Sequence, residues 1–266
     1  MIKTVSVKTM RESDAAAIAG GIPSKTLMMR AGEGIFRSVR WKEPVAIVCG
    51  KGNNAGDGYV VAELLRKNGI SCTLVLLSDS FSEDGRYYYE ICRENGIAEV
   101  RFTQGMSLSG YGTILDCILG TGFSGTITGI TKEAIDAINE SRAYVVSADI
   151  PSGLNGDTGD GETFVRSDLT ISIGTFKTGH FTGRCYEAMR DKLNVDIGIQ
   201  IIGPYAETDD ANDRKVRLFF SQKETLDTFL KNHAITEAQY QKSYGDLVVK
   251  MGMQEIATKK EQEETE

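Results

Sequence analysis

From Val45 onward, short apolar runs rich in β-branched residues alternate with longer segments in which apolar residues recur every three or four positions. VAIVC, CTLVLL, AEVRF, TILDCIL, AYVVSAD and DLTISIG are the strand candidates, and most are near-continuous in Val, Ile and Leu, as strands covered on both faces must be. Between them, GDGYVVAELLRKNG, SEDGRYYYEICRENG and TKEAIDAINES have helical spacing. Strand and helix in alternation predict an α/β fold with a doubly wound, mostly parallel sheet.

Ahead of the first of these strands, IPSKTLMMRAGEGIFRSVR sets Leu27, Ala31, Ile35 and Val39 four residues apart, behind Ser24 as the expected helix cap. Those positions line one face of a helix, and Gly32 lets that helix approach its neighbour closely. After LNVDIGI the composition turns polar: PYAETDDANDRK reads as part of a linker over 205–222, which closes a principal domain over 1–204. Beyond it, Leu226, Phe229 and Leu230 make one apolar face, and Tyr240, Tyr244, Leu247 and Met251 make another. Thr236 and Gln239 fit a capping box. The pattern predicts a small C-terminal helical extension, a hairpin over 223–252, and then a disordered charged tail over 253–266.

Composition narrows the function classes. The 266 residues suffice for one sizeable core, and 41% hydrophobic with 25% charged residues is ordinary for a globular protein. A net charge of -7 disfavours nucleic acid as a partner. No apolar run is long enough to cross a bilayer, and the N-terminal segment has no signal-peptide core, so a cytoplasmic protein without a membrane partner is expected. Cys49, Cys72, Cys92, Cys117 and Cys185 have no metal-binding spacing and read as reduced, mostly buried thiols. With only His180 and His233, zinc sites and histidine triads have little to draw on.

The chemistry concentrates where strands end. Gly50-Lys51-Gly52-Asn53-Asn54-Ala55 fits a glycine-rich turn between a strand and a helix, a place that receives phosphates. Yet Asn53, Asn54 and Asp57 add oxygen ligands suited to a hard cation, and a carboxylate facing a phosphate would repel it. Asn and Asp are also common turn and cap residues, so this loop alone leaves both readings open. Asp116 sits inside the apolar run TILDCIL, where a carboxylate needs a partner. A second glycine-rich turn, Gly120-Thr121-Gly122-Phe123-Ser124-Gly125, follows it. Asp149 ends AYVVSAD beside the turn Pro151-Ser152-Gly153, and Lys177 follows the next strand in GTFKTGH. In a doubly wound sheet all these loops leave the same edge. Asp79, at the end of the second strand, is only a loose match to the acid that holds a ribose in dehydrogenases.

Three of these segments, in order, resemble the YjeF N-terminal domain family, the NAD(P)H-hydrate epimerases: GNNAGDG, LDCILGTGFSG and SADIPSGLNGDTG. MRESDAAAI, GIPSKTLMMRAG and the closing VDIGI resemble the family's flanking elements, so the similarity runs from about Val7 to Ile199. The resemblance implies a three-layer, Rossmann-like fold and epimerisation of hydrated NADH and NADPH. By position, Asn54, Asp116 and Ser152 would ligate potassium. Asn53, Asn54, Ala55, Gly56, Asp57, Gly120, Thr121, Gly122, Phe123, Ser124, Gly125 and Thr126 would contact the dinucleotide, and Asp149 would face the reacting ring. Asp149 is the expected proton carrier, with Lys177 as a second catalytic candidate that holds a phosphate or assists. Met29 and Ala55 depart from the family's usual acidic residue and glycine. The dehydratase domain carried by many relatives is expected to be missing here, leaving an ADP- or ATP-dependent dehydratase on another chain as a partner. A homodimer through Met28, Met29 and the first helix is a further expectation. The alternative is a nucleotide-binding or scaffold module of the same fold without catalysis; the polar loop residues argue for the enzyme.

Overall fold

The computed structural model describes residues 1–254, apart from the side chains of residues 210–212. The chain forms two compact units, Lys3–Glu207 and a smaller one in which Met1–Ile2 joins the segment from Thr208 onward. Up to that boundary the elements are β1 (Ile2–Thr4), α1 (Val7–Ala19), α2 (Ser24–Ser38), β2 (Val45–Cys49), α3 (Asn53–Lys67), β3 (Cys72–Leu76), α4 (Glu83–Glu94), β4 (Ala98–Arg101), β5 (Thr113–Cys117), α5 (Gly129–Glu140), β6 (Tyr144–Ala148), β7 (Ser167–Ile173), α6 (Cys185–Ala188), β8 (Met189–Val195) and β9 (Ala206–Thr208). The smaller unit holds α7 (Asp210–Lys231) and α8 (Glu237–Met251). Among the described residues no helix is long and apolar enough to cross a membrane.

Seven strands form one sheet in the order β4-β3-β2-β5-β6-β7-β8, and every neighbouring pair is parallel. Strand alternation divides the core into two layers. Val45, Ile47 and Cys49 of β2 and Leu115 and Cys117 of β5 pack with Ile35 of α2, Tyr59 and Leu65 of α3 and Cys92 of α4. Ala46, Val48 and Ile114 pack on the other face with Ala134, Ile135 and Ile138 of α5. Each fully buried aliphatic side chain here contributes about 1.5–3 kcal/mol over an exposed one, so the sheet is held mainly by cover on both faces. From β2 the chain builds outward to β3 and β4, then returns to β5 beside β2. The sheet's direction of growth therefore reverses between β2 and β5, and the loops that follow these two strands part there.

Helix ends follow local chemistry. The Ser82 hydroxyl caps α4 by accepting from Gly85 N–H, and Glu83, Asp84 and Arg93 complement its dipole. Leu27, Ala31, Ile35 and Val39 are buried as their spacing requires. Ser24 is not a cap: the N-cap of α2 is Pro23, with no side-chain hydrogen bond, and Ser24 is already helical.

Two elements lie outside the apolar pattern. α1 has only Val7, Met10, Thr9 and Ser13 buried, so polar residues make half of its inner face. β8 is, with β4, one of the sheet's two edge strands; MRDKLNV is mostly exposed or half-buried and lacks the apolar run of a covered strand.

The linker expected over 205–222 is instead β9 followed by the first half of α7. Most of its charged residues form a solvated helical face, while Asp213, Val216 and Phe219 are buried. The hairpin thus begins near residue 210, not 223. Phe229, expected on an apolar face, is 46% exposed. Phe219 and Tyr244 rings meet at 6.2 Å, the Tyr240 hydroxyl donates to Asp227 at 2.5 Å, and Thr236 and Gln239 form the expected capping box. The tail expected over 253–266 lies, from residue 255, outside the described residues.

Gly32 marks the closest approach of α2 to α3. A Cβ there would stand 2.5 Å from Val60 Cβ and 3.0 Å from the Asp57 carbonyl oxygen. Gly32→Ala should therefore lower stability by about 1–3 kcal/mol through overpacking. The measurement is the denaturant midpoint; an unchanged value would mean that the two helices separate without cost.

Candidate active site

A cleft of about 660 Å³ opens at the carboxyl edge of the sheet, over the β2/β5 switch point. The turn after β2, the start of α3 and the glycine-rich turn after β5 supply much of its wall. Asp149 after β6, Lys177 after β7, and residues of α1 and α2 complete it. Asn53 and Asn54 belong to the first turn of α3, whose N–H groups an α-helix leaves without intrahelical partners.

Asp116 is wholly buried and lies in register between Val48 and Ser147. Its Oδ1 accepts from Ser152 Oγ at 2.5 Å and from Ile118 N–H at 3.2 Å; its Oδ2 accepts from Ser147 Oγ and Ser152 N–H, both at 2.9 Å. Burial pushes the carboxyl pKa up, against the pull of these donors. The same group ties the loop after β6 to β5. Ser152 Oγ also accepts from Leu119 N–H at 2.8 Å, and Leu119 O accepts from Asn54 Nδ2 at 3.1 Å. Asn54 Oδ1 is buried without a hydrogen-bond partner. An orphaned amide oxygen beside the Leu119 carbonyl, the Ser152 hydroxyl and a buried carboxylate is an all-oxygen donor set that fits a hard cation.

Asp149 and Lys177 form a buried ion pair. Lys177, 1% exposed, donates from Nζ to Asp149 Oδ1 at 2.5 Å and to Ile173 O at 2.8 Å. Asp149 Oδ2 accepts from Thr121 Oγ1 at 2.8 Å and Thr121 N–H at 3.2 Å. Asp149 has φ 63°, left-handed backbone that a non-glycine residue adopts at a cost of about 1–3 kcal/mol. Two bonds hold it there: its N–H donates to Ile171 O at 2.8 Å, and its carbonyl accepts from His180 Nε2 at 2.7 Å. His180 Nδ1 accepts from Lys177 N–H at 3.1 Å, which sets the neutral Nε2–H tautomer. Burial, assisted by the Lys177 charge, lowers the His180 pKa to about 4. For Asp149, burial alone would raise the carboxyl pKa, but the charge and hydrogen bond of Lys177 outweigh it and hold the value below the ordinary one.

Two more carboxylates face this pair. Asp57, on α3, is buried, and burial together with Asp149 and Asp14 pushes its pKa well up. Asp14, on α1, is half-buried in the cleft wall; burial raises it to about 6, against the pull of Lys177. α1 is carried to this position by the loop after β6, where Asp157 Oδ1 accepts from Val7 N–H at 2.7 Å, and Arg11 donates to Gly122 O at 3.4 Å.

A sequence model of the YjeF-related protein N-terminus matches residues 24–179, more than half of the chain. The chain belongs to that family. It is 34% identical over 202 residues to the NAD(P)H-hydrate epimerase of Lentilactobacillus buchneri, covering 70% of this chain and 93% of that protein. The NAD(P)H-hydrate epimerase of Anaerococcus prevotii is 33% identical over 214 residues, with 94% of its length covered. Against the bifunctional NAD(P)H-hydrate repair enzyme Nnr of Coxiella burnetii the identity is 33% over 199 residues, but the chain spans only 41% of that longer protein. The crystal structure of yeast ynu0 aligns with 79% of this chain and 98% of its own at a TM-score of 0.60 and 20% identity, a likeness of fold alone.

Within this YjeF-type domain the structure gathers Asn53, Asn54, Asp57, Gly120, Thr121, Gly122, Phe123, Ser124, Asp149 and Lys177 around one cleft. Asp116 and Ser152 lie beneath its floor, joined to it through Leu119. Ala55, Gly56, Gly125 and Thr126 do not line the cleft. Ala55 is in the core, and a Cβ on Gly56 would meet Met28 Cε at 2.4 Å, so helical rotation turns both positions inward. Met28 is itself buried, which leaves Met29 as the exposed member of the expected dimer face. Lys177 is not a surface lysine. Asp79, 87% exposed at its side chain, pairs with Arg101 and stands apart from the cleft wall. Cys49 and Cys117 are fully buried, and burial pushes both thiols well up, away from the reactive thiolate. Asp14 and Arg11 escape the sequence reading because one helical turn carrying an acid and a base looks like any solvated face.

Removing either partner of the buried pair leaves an uncompensated charge. Lys177→Met or Asp149→Asn should each cost about 3–5 kcal/mol, and the double variant should lose less than the sum by about 1–3 kcal/mol. Additive losses in chemical denaturation would mean that the pair is not coupled. His180 gives a pH signature. Its folded pKa is depressed, so the unfolded chain takes the proton first. Its stabilising contribution is whole above about 6.5 and declines as pH falls toward 4, by roughly 3 kcal/mol. The slope of stability against pH between 4 and 6.5 should flatten in His180→Gln; an equal slope in both proteins would contradict the assignment.

Proposed function

We propose that the chain is an NAD(P)H-hydrate epimerase, interconverting the R and S epimers of NADHX and NADPHX, the forms of NADH and NADPH hydrated on the nicotinamide ring. The observation that carries this reading is the match along 93% of a relative whose name states that single activity. The cleft supports it: helix-start and turn N–H groups suit phosphates, and a charged carboxylate–lysine pair sits at its base.

The substrate's hydroxyl is on a carbon beside the ring nitrogen. Its departure as water leaves an iminium stabilised by the nitrogen lone pair, and water returning to the other face gives the second epimer. No electron is transferred. The Gly120–Ser124 turn and the start of α3 hold the pyrophosphate, with Arg11 and Lys51 adding positive charge at the mouth. Asp149, fixed in place by Thr121, Lys177 and His180, offers a preformed negative charge to the developing iminium. Because Lys177 keeps that carboxyl ionised, its suits stabilising a cation better than donating a proton. Asn54, Asp116 and Ser152 are the residues that would hold potassium, whose charge would help to order the three loops and balance Asp116. The reading carries with it a cytoplasmic location and a dehydratase on another chain as the activity that consumes the product.

The purified protein, given the isolated R epimer of NADHX in potassium buffer, should equilibrate the epimers well above the no-enzyme rate by chromatography. Asp149→Asn should remove that acceleration by at least about 100-fold, the size of one lost preorganised electrostatic group. Replacing potassium with a larger organic cation should slow it. Nucleotide binding without any acceleration would point instead to a non-catalytic module.

A further inference from the structure

We infer that Asp14 is a second catalytic residue of this cleft, the group that passes a proton to the departing hydroxyl and takes one back from the incoming water. The inference rests on the epimerase reading. Its geometric ground is which cleft carboxylate is both unbonded and open to a ligand: Asp57 is buried, and Asp149 is tied to Lys177 and Thr121. Both Asp149 oxygens are already engaged, Oδ1 by Lys177 and Oδ2 by two donors of Thr121. Asp14 lines the same cleft, accepts no hydrogen bond among the described residues, and is only half-buried. It stands on α1, whose start is clamped by Asp157 and whose Arg11 reaches the Gly122 carbonyl, so the carboxyl is presented from a fixed helix.

The groups around it suit the role. Lys177 and Asp149 act on Asp14 from the loops after β7 and β6, and Asp57 faces both acids from α3. Arg11 lies one turn before it on α1, and Asp84 and Lys51 line other parts of the wall. A proton carrier must reach both of its states near the working pH. Asp149 is held ionised by its lysine, and burial pushes the Asp57 carboxyl well above the ordinary range. Asp14, raised to about 6, can take either state near neutral pH. In the forward step the Asp14 carboxyl gives its proton to the hydroxyl oxygen as the C–O bond breaks, and the ring nitrogen's lone pair completes the iminium. In the return step water adds to the opposite face and its proton goes back to the Asp14 carboxylate, so the cycle is balanced in atoms and charge.

The test is the pH dependence of R-NADHX epimerisation between pH 5 and 8, with kcat and KM measured separately. In the wild type kcat should fall as pH rises through about 6, because the departing hydroxyl needs the protonated acid. Asp14→Asn should lose this limb and about 10²–10⁴-fold in kcat with KM changed by less than about twofold. Asp14→Glu should restore a titrating limb. A wild type with no limb in this range, or an Asp14→Asn variant keeping both limb and rate, would overturn the inference alone. A wild type no faster than buffer would overturn the epimerase reading beneath it.

Discussion

Four carboxylates meet at one end of a sheet, and among the described residues one buried cation, Lys177, is set among them. An unpaired carboxylate in a dry site costs several kcal/mol, so each of the four must be accommodated in its own way. Asp116 takes four hydrogen bonds from Ser147, Ser152 and Ile118. Asp149 takes the lysine. Burial pushes Asp57 toward its protonated form, and Asp14 remains partly open to the cleft. Proton affinity is thereby lowered at Asp149 and raised at the other three, the kind of separation that divides electrostatic and proton-transfer roles among chemically identical side chains.

The fold makes this arrangement affordable by satisfying each acid with parts of different loops. Asp116 is bonded by Ser147 across the sheet and by Ser152 after the next strand, so its solvation is also the joint between two loops. Asp149 lies in left-handed backbone, held by Ile171 on one side and His180 on the other, and its carboxyl then meets a turn that follows β5. Such strain persists only where the surroundings over-determine it, and at a site it signals that the position of the side chain is worth more than local relaxation. α1 closes the wall because the loop after β6 supplies Asp157 to its first turn.

Much of this was legible in the order of residues. Near-continuous β-branched runs mark covered strands, and a doubly wound sheet sends all their following loops to one edge, so Asn54, Asp116, Asp149 and Ser152 could be grouped before any coordinates. What failed to show did so for physical reasons. β8 is an edge strand with one side in solvent, so its charges hide its nature. α1 turns Thr9 and Ser13 inward, and Ser13 is bonded to Thr9 O and Ile202 N–H, so its buried face is not apolar. The polar run at 205–222 is a short strand and then half of a helix, because charged residues favour a solvated helical face as readily as a linker.

The sequence by itself determined the layers, the direction of the strands and the set of oxygen-bearing residues at their ends, because periodicity and burial are properties of neighbouring residues along the chain. Only the tertiary structure decided which carboxylate is charged. That depends on Lys177 folding back 28 positions to reach Asp149, on Asp14 arriving from a helix far earlier in the chain, and on how much water each retains. Proton affinity is set by distances and burial in space, and neither is written in the local spacing of residues.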